Sequence, residues 1–415
     1  MPDTPTPSTP PGERFHMIDA LRALAMFLGV VLHAALGLML TANVFTPRMD
    51  RSRFVAFDIA VFSIHAFRMQ LFFIVAGIFT GLLLSRRSPE AFVRGRLVRV
   101  ALPLLVGALT VAPLTVWPFY RAMGGRWTFA DLIDSPVHLW FLVVLSIFSA
   151  AAAVLAGAAR RWMGVSRLGT WCGERLAAAS ISPWAVLIFV VPTTLLTLPM
   201  ESWTIDTPGG WIPPWKPLVY YAFFFAIGWA IQRHNALAGL KGGKWRWPVL
   251  LIVGNIVVLP ALLVVGMGVT PKLIEAAGAS AMNQRLAILP AAAVQALYTW
   301  MMILGLFGLF LSWCGRPRPW LRWLADSSYW VYLVHLPAVY WLQYFLADVA
   351  LMGSSPGPLE ACIKFVVILS AATVFSLVTY ALLVRPTILE RVVGGGSATH
   401  RRHLPATPPA HPPPA

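Results

Sequence analysis

The chain has 415 residues, of which 58% are hydrophobic and only 12% charged. Soluble domains carry about 25% charged residues, so this composition excludes a soluble globular protein of this length. The formal net charge of +16 is attributed to basic loops facing anionic lipid, since no zinc-finger, helix-turn-helix or RNA-binding pattern accompanies it. The sequence therefore predicts an integral membrane protein that binds lipid and no nucleic acid.

Apolar runs predict an all-α fold of about ten transmembrane helices, because a hydrocarbon core of about 30 Å takes roughly 20 helical residues to cross. Their approximate bounds are 17–40, 56–84, 97–117, 137–158, 183–200, 216–232, 247–268, 288–313, 327–348 and 359–384. The first run lacks a small-residue cleavage site, so it is interpreted as a retained span rather than a signal peptide.

Loops and tails complete the predicted organisation. Loops after even-numbered spans carry about twice as many Lys and Arg residues as the opposite loops, which predicts that both termini are cytoplasmic. The ends, 1–13 and 391–415, are rich in proline and threonine and are predicted to be disordered tails.

The cysteines Cys172, Cys314 and Cys362 lack CxxC spacing, so neither a disulfide framework nor a metal site is expected.

Ionisable residues inside an apolar span are costly, so each is a functional candidate. In the first span His33 follows Arg22 by eleven residues, or three helical turns. Both side chains therefore share one helix face and lie about 16 Å apart along the axis. Cytoplasmic termini would place Arg22 near the inner headgroups and His33 near the midplane. The alternative is a topology anchor at Arg22 and a hydrogen-bonded packing histidine at His33.

The second span contains His65 and Arg68, which are three residues apart and share a helix face. Asp58 precedes His65 by seven residues and can lie on the same face. These residues are candidates for the outer half of a substrate path. The structural alternative is that Arg68 pairs with Asp58.

Two further histidines lie in later spans. His138 follows a Ser-Pro turn at the outer start of the fourth span. His335 lies nine residues beyond Asp326, about 13 Å into the ninth span and at a depth that matches His33. Each can also be a structural histidine, bonded at a helix start or in the core.

The densest basic segment is SRRSPEAFVRGRLVRV, with five arginines around the start of the third span: Arg86, Arg87, Arg94, Arg96 and Arg99. These residues can be ordinary topology signals. They can equally hold a polyanion such as the phosphates of a nucleotide-like molecule, for which the rigid fork of arginine donors is suited.

Four motifs together carry a resemblance to a known family. DALRALAMFLGVVLH (19–33) resembles the first-span signature of the membrane acyltransferase-3 family. HAFRMQLFFIVAGIF, HLWFLVVL and SSYWVYLVHLP are similar to its branch of osmoregulated periplasmic glucan succinyltransferases. The resemblance covers most of residues 14–390 and implies one transmembrane acyltransferase domain there.

The resemblance implies a bacterial inner-membrane enzyme that moves an acyl group, succinyl in this branch, from cytoplasmic acyl-CoA to hydroxyls of periplasmic glucans. Acyl-CoA would be a co-substrate, and no tightly bound cofactor or metal is implied. His33 matches the family's catalytic histidine and Arg22 its partner, with Asp19 beside Arg22. Donor binding is assigned to Arg94, Arg96, Arg99 and His335, and contact with the glucan or the succinyl carboxylate to His65, Arg68 and His138.

Two residues depart from the family pattern. Ala76 stands where a serine usually precedes the glycine of VAGIF, and Leu336 stands where some relatives have a second histidine. A hydroxyl role at the first position and a paired-histidine role at the second are therefore in doubt.

Some alternatives stay open on the sequence alone. The histidine can act as a general base or carry the acyl group covalently, and the acceptor can be another extracytoplasmic glycan or lipid. A polytopic transporter is the alternative from another class, although the two halves of the chain show no repeat. The tryptophans of ESWTIDTPGGWIPPWKP are suited to stacking on sugar rings, or to an interfacial aromatic belt.

Overall fold

The computed structural model describes residues 11–394, except for short gaps at 42–43, 125–127, 129–130, 132, 279, 315–317 and 354–355. The described residues form helices and connecting segments without a strand, which confirms the predicted all-α class. The helices of eight residues or more are α1 (Pro11–Leu36), α2 (Val55–Arg86), α3 (Pro89–Met123), α4 (Val137–Arg161), α5 (Met163–Ile181), α6 (Ala185–Leu195), α7 (Trp215–Arg233), α8 (Arg246–Ala277), α9 (Ala281–Trp313), α10 (Pro319–Leu346) and α11 (Pro358–Val384).

Seven helices in the described part of the chain are long and apolar enough to cross a membrane: α1, α2, α3, α4, α8, α9 and α11. The predicted spans 183–200, 216–232 and 327–348 coincide with α6, α7 and α10, which fall outside this set. Helix α6 has only 11 residues, and α7 and α10 carry more polar side chains. The fold is thus that of a multi-pass membrane protein, while the ten-span count and the cytoplasmic termini stay predictions.

The predicted tails lie mostly outside the described residues. Helix α1 begins at Pro11, inside the predicted N-terminal tail. A short helix, α12 (Glu390–Val393), extends past the predicted domain boundary at 390. Helix α5 occupies a basic stretch that the sequence pattern assigns to a loop.

Wide turns with π-type hydrogen bonding interrupt the long helices, and the described ones each end two residues before a proline: Leu97–Ala101 before Pro103, Gly254–Val258 before Pro260, Val264–Val269 before Pro271 and Tyr380–Val384 before Pro386. Proline lacks an N–H, and its ring clashes with the carbonyl four residues back. Widening the preceding turn relieves that clash, so the helix continues through the first three of these turns, and the fourth is the end of α11.

Helix α1 lies between α2 and α10 and defines the two ends of the bundle. It runs parallel to α10, because Arg22 Nη2 donates to Ala325 O at 3.0 Å and Gln343 Nε2 donates to His33 O at 2.7 Å. It runs antiparallel to α2, whose Phe79 ring lies under Arg22. We call the end that holds Arg22 the arginine end, and the end that holds residues 44–54 and 201–214 the loop end.

Helices α2 and α7 pack closely because two glycines face each other's backbone. A Cβ at Gly77 would collide with Phe225 O, and a Cβ at Gly228 would collide with Ile74 O. Small residues allow this close approach in membrane bundles, where van der Waals packing replaces the hydrophobic driving force. The crossing fixes α2, which carries His65 and Arg68.

Candidate active site

A cavity of about 420 Å³ opens at the arginine end between α1, α2, α3, α4 and α10. Its charged lining residues are Asp19, Arg22, Arg86, Arg87, Arg96, Arg99 and Asp326. Five arginines against two carboxylates give the cavity an excess of positive charge. Such a lining suits a polyanionic ligand, because arginine donates in a planar fork to phosphate or carboxylate oxygens.

Arg22 is held in place before any ligand arrives. Its Nη2 atom lies 3.4 Å from Asp19 Oδ1 and donates to Ala325 O, and its guanidinium carbon lies 5.6 Å from the centre of the Phe79 ring. Its Nε atom has no hydrogen-bond partner among the described residues. Arg22 is therefore a preorganised cation in the wall of the cavity, with a donor left over.

The predicted donor-binding arginines divide into two kinds. Arg96 is half-buried, donates to Thr80 Oγ1 at 3.0 Å and packs over Phe92, and Arg99 lines the same cavity from the π turn of α3. Arg94 is exposed and is not part of the lining, because residues two apart on a helix face different directions.

The inner end of the cavity is apolar and aromatic. Met26, Phe72 and Phe141 line it, and the last two rings meet edge to face with centroids 4.3 Å apart. Tyr332 lies beyond Phe141 at a centroid distance of 6.0 Å, and its hydroxyl donates to His138 O at 2.7 Å. These rings separate the arginine-lined cavity from a cluster of histidines deeper in the bundle.

Three of the predicted site histidines form that cluster. The ring centroid of His335 lies 5.5 Å from that of His33 and 5.6 Å from that of His138. His335 was predicted as a donor contact, and the structure places it beside His33 and outside the lining of the arginine cavity. Tyr340 closes the loop side of His33 at a centroid distance of 6.4 Å.

Hydrogen bonds define the protonated nitrogen in two of these rings. A carbonyl oxygen can only accept, so His335 donates from Nδ1 to Val331 O and Tyr332 O, and His138 donates from Nε2 to Leu333 O. This leaves His335 Nε2 and His138 Nδ1 as acceptors. These two atoms and His33 Nδ1 are buried and have no partner among the described residues. Buried polar atoms are seldom unpaired, so the cluster is a place where a polar ligand group fits.

Arg68 lies against α1 one turn below His33. A Cβ at Gly29 would be 2.8 Å from Arg68 Nη1, so the glycine makes room for the guanidinium. The charge of Arg68 acts on His33, His65 and His335. Its Nε atom has no hydrogen-bond partner among the described residues. Arg68 thus places a half-buried cation next to the histidine cluster.

Asp58 does not pair with Arg68, so the structural alternative for this pair is wrong. The Asp58 carboxylate instead accepts the backbone N–H groups of Leu40 and Thr41 at 2.8 and 3.0 Å. It therefore ties the segment that follows α1 to the start of α2. His65 faces the loop end, where its Nε2 lies 3.3 Å from Ile205 O.

The turn before His138 is strained. Val137 has φ +48°, in the left-handed region that a β-branched residue seldom adopts. Ser135 Oγ supports the turn by accepting the Val137 N–H at 3.1 Å. Such conformations cost on the order of 1–3 kcal/mol and cluster at functional sites, because the surrounding structure must hold them. Here the strained turn orients the His138 ring toward His335.

The tryptophans of the 201–214 loop have different environments. Trp203 stacks on Phe62 at a centroid distance of 6.0 Å and fills the space over Gly266, so it is part of the packing. Trp211 is more exposed and donates from Nε1 to Ile133 O, and Trp215 is 62% exposed. Among these three tryptophans, Trp211 and Trp215 are the ones with an exposed ring.

A family model described as "Acyltransferase domain" matches residues 15–381, which is most of the chain. The chain belongs to the acyltransferase-3 family. It is also similar to the protein named "Glucans biosynthesis protein C" of Escherichia coli O1:K1 / APEC, with 28% identity over 152 residues. The corresponding protein of Escherichia coli (strain K12 / DH10B) is 27% identical over 151 residues.

These similarities are partial. The matched segment covers 34% of this chain and 38% of the length of each of these relatives. No solved structure matches this acyltransferase-3 chain. Within the family frame, Ala76 and Leu336 are both buried, which fits a packing role at the two positions where the chain departs from the family pattern.

Sequence reasoning missed several residues that build this site. The Phe72–Phe141 pair, Tyr332 and Gln343 are part of spans whose apolar pattern does not reveal which neighbour they contact. The segment 392–394 lines the arginine cavity, although it belongs to the predicted C-terminal tail. The prolines two residues beyond each π turn are the one sequence signal that marks the irregular stretch carrying Arg99.

Proposed function

We propose that this protein is a bacterial inner-membrane O-acyltransferase that moves an acyl group, preferentially succinyl, from acyl-CoA to a hydroxyl of a periplasmic glucan. The observation that supports it best is the stacking of two sites along α1. An arginine-lined cavity surrounds Arg22, and a histidine cluster surrounds His33 on the same helix face, about 16 Å away along the axis. Family membership supplies the acyl-transfer chemistry.

The donor binds at the arginine end, which we assign to the cytoplasm. Arg22, Arg96 and Arg99 hold the coenzyme A phosphates, which cannot enter hydrocarbon cheaply. Arg94, at the rim outside the lining, contributes long-range attraction. The thin pantetheine arm passes the Phe72–Phe141 pair and brings the thioester toward His33. Met26, the innermost α1 residue of the cavity, is seven residues short of His33, or about 10 Å of helix.

His33 acts as the general base. Its imidazole takes the proton of a glucan hydroxyl while the hydroxyl oxygen attacks the thioester carbonyl carbon. The new C–O bond forms, the C–S bond breaks, and the thiolate of coenzyme A recovers the proton from the imidazolium. Positioned proton transfer of this kind contributes about 10²- to 10⁴-fold to rate.

The remaining predicted site residues orient the reactants. Arg68, which lies one turn from His33, holds the free carboxylate of the succinyl group by a charge-assisted hydrogen bond. His138 and His335 present unprotonated nitrogens, which accept hydrogen bonds from the reacting hydroxyl or from hydroxyl groups next to the tetrahedral intermediate. His65, bonded to the 201–214 loop, lies on the path by which the glucan enters.

Purified protein in lipid vesicles, supplied with succinyl-CoA labelled in the succinyl group and with neutral glucan, tests the proposal. We expect labelled, anionic glucan with the wild type and a loss of about 10²-fold or more with His33→Ala. His234→Ala is the matched control, because this histidine lies at the arginine end away from the cluster, packed against Gly173. Movement of label across the membrane without covalent transfer would instead support the transporter alternative. Full transfer by His33→Ala would remove His33 from the mechanism.

A further inference from the structure

The last turn of α1, which carries His33, is capped by a side chain from another helix. A helix leaves its final carbonyl groups without intrahelical partners. Gln343 of α10 donates from Nε2 to His33 O at 2.7 Å and lies 3.4 Å from Ala34 O. Gln343 is only 3% exposed, so water does not replace this cap.

The Gln343 amide also contacts a second residue. Thr46, in the segment between α1 and α2, has its hydroxyl oxygen 3.1 Å from Gln343 Oε1 and 3.1 Å from Arg48 O, so these two acceptors share its one proton. The amide nitrogen, on the other side, faces the carbonyl groups of His33 and Ala34. A flipped amide would place its oxygen against His33 O, and two acceptors repel. The carbonyl groups of His33 and Ala34 therefore set the orientation of the amide, and the Thr46 hydroxyl supports it.

Gly37 leaves the space that this arrangement needs. A Cβ at Gly37 would lie 3.3 Å from Thr46 Oγ1 and 3.4 Å from the Gln343 amide carbon. The Gly37 carbonyl also accepts the N–H of Asp50 at 2.8 Å. The segment after His33 is thus bonded to the same loop that supplies Thr46.

The loop itself is anchored by buried charge. Lys364 of α11 is completely buried and lies 2.7 Å from Asp50 Oδ1 and 3.2 Å from Glu360 Oε1. The backbone N–H of Arg51 donates to Ala347 O at the end of α10. Loop 44–54, the end of α1 and the end of α10 therefore form one connected unit at the loop end, where we place glucan entry.

We infer that Gln343 is a positioning residue for His33, and that Thr46 couples the glucan-side loop to it. This inference rests on the proposed role of His33 as the base. A carbonyl held at His33 fixes the axial position and rotation of the last turn, and hence the direction of the imidazole toward the donor thioester. A misplacement of about 1 Å can cost about 10²-fold in rate. A loop that moves on glucan binding would shift His33 through Thr46 and Gln343.

Three variants test this without touching the imidazole. Gln343→Leu removes the donor at similar volume, Thr46→Val removes only the hydroxyl beside the amide oxygen, and Gly37→Ala crowds the pair without removing a polar atom. Gln295→Leu is the matched control, since Gln295 is 2% exposed on α9 and its Nε2 atom has no hydrogen-bond partner in the described structure. We expect Gln343→Leu to lower kcat by about 10- to 100-fold with an unchanged KM for succinyl-CoA, and Thr46→Val and Gly37→Ala to act less strongly.

Two readouts separate positioning from a general loss of folded protein. The solvent deuterium isotope effect on kcat does not depend on how much protein is active, and it should rise in Gln343→Leu because proton transfer becomes slower. Backbone amide exchange in the segment 33–41 should also accelerate in this variant and not in Gln295→Leu.

The outcomes distinguish this inference from the proposed function. Full turnover by His33→Ala would overturn the role of His33, and the exchange measurement would still decide whether Gln343 holds the last turn of α1. Faster exchange with unchanged kcat, in a protein that His33→Ala inactivates, would overturn the positioning role. Unchanged exchange and unchanged kcat in Gln343→Leu would overturn the inference entirely.

Discussion

The imidazole rings of His33 and His335 lie with their centroids 5.5 Å apart, on parallel helices at nearly opposite ends of the chain. His335 donates from Nδ1 to the backbone of its own helix, which turns an unprotonated Nε2 into the cluster. The pair therefore offers a second acceptor next to the proposed base. This arrangement favours the proposed direct transfer, in which the hydroxyl proton needs an acceptor as the C–O bond forms.

The arginine cavity predicts a difference between neighbouring arginines of one segment. Arg96→Ala should raise the KM for succinyl-CoA by about 10-fold, because a charge-assisted hydrogen bond to phosphate contributes about 1.5–3 kcal/mol. Arg94→Ala should leave it nearly unchanged at physiological ionic strength, since Arg94 is exposed and outside the lining. Initial-rate kinetics at several salt concentrations measure both. Equal effects of the two substitutions on KM would show that the segment attracts the donor by its overall positive charge and not by a specific contact at Arg96.

The contact between Gly29 and Arg68 leads to a prediction about which acyl donor the protein prefers. In Gly29→Ala the new methyl group would meet Arg68 Nη1 at 2.8 Å and push the guanidinium away from α1. We expect turnover with succinyl-CoA to fall by about 10-fold, while turnover with acetyl-CoA, which has no free carboxylate for Arg68, changes less. Gly157→Ala is the matched control, because a Cβ there meets open space. An equal loss of turnover with both donors would show that Arg68 does not bind the succinyl carboxylate.

The sequence predicted well what depends on local pattern. Apolar runs located the long helices, and the helical period alone placed Arg22 and His33 on one face. Contacts between helices could not be predicted in this way, because the sequence of a helix that is apolar on all sides does not reveal which face meets which neighbour. The proximity of His33, His138 and His335, the Gln343 cap and the position of Arg94 outside the cavity all depend on that packing. Helix α5 was missed because its exposed basic side chains lower its hydropathy.

Breaking the buried charge cluster at the loop end should be costly. Lys364→Met would remove the shared partner of two buried carboxylates, and Glu360 would keep only Arg51 at 3.9 Å, whereas Asp50 would have no ion pair among the described residues. We expect a loss of about 3 to 5 kcal/mol in the free energy of unfolding, since an uncompensated buried charge is strongly destabilising. Lys216→Met is the matched control, because its partner Glu201 is 89% exposed and such a pair contributes less than about 1 kcal/mol. Thermal unfolding in detergent at neutral pH compares the two, and a small effect of Lys364→Met would show that water reaches this cluster.

Asp206, in the 201–214 loop, predicts a pH dependence of stability. Burial, reinforced by the nearby Glu201 carboxylate, raises the pKa of Asp206 above its ordinary value of 3.8. The folded state therefore binds this proton more tightly than the unfolded state. The contribution of Asp206 to the free energy of unfolding is complete below pH 3.8 and is lost as the pH rises through the pKa of the folded state. Asp206→Asn, which stays neutral, should match the wild type in Tm at the acid limit and exceed it at neutral pH.

Asp131 provides a control of opposite sign for this measurement. Hydrogen bonds from the backbone N–H and hydroxyl of Thr128 hold the pKa of Asp131 below its ordinary value. Its stabilising contribution is therefore present above the ordinary pKa of 3.8 and is lost as the pH falls through the lower, folded value. Asp131→Asn should thus lower Tm at neutral pH, where Asp206→Asn raises it, and the two differences should shrink together toward the acid limit. A rise in Tm with both substitutions would indicate that lowering the negative charge of the loop end, rather than the burial of Asp206, sets the effect.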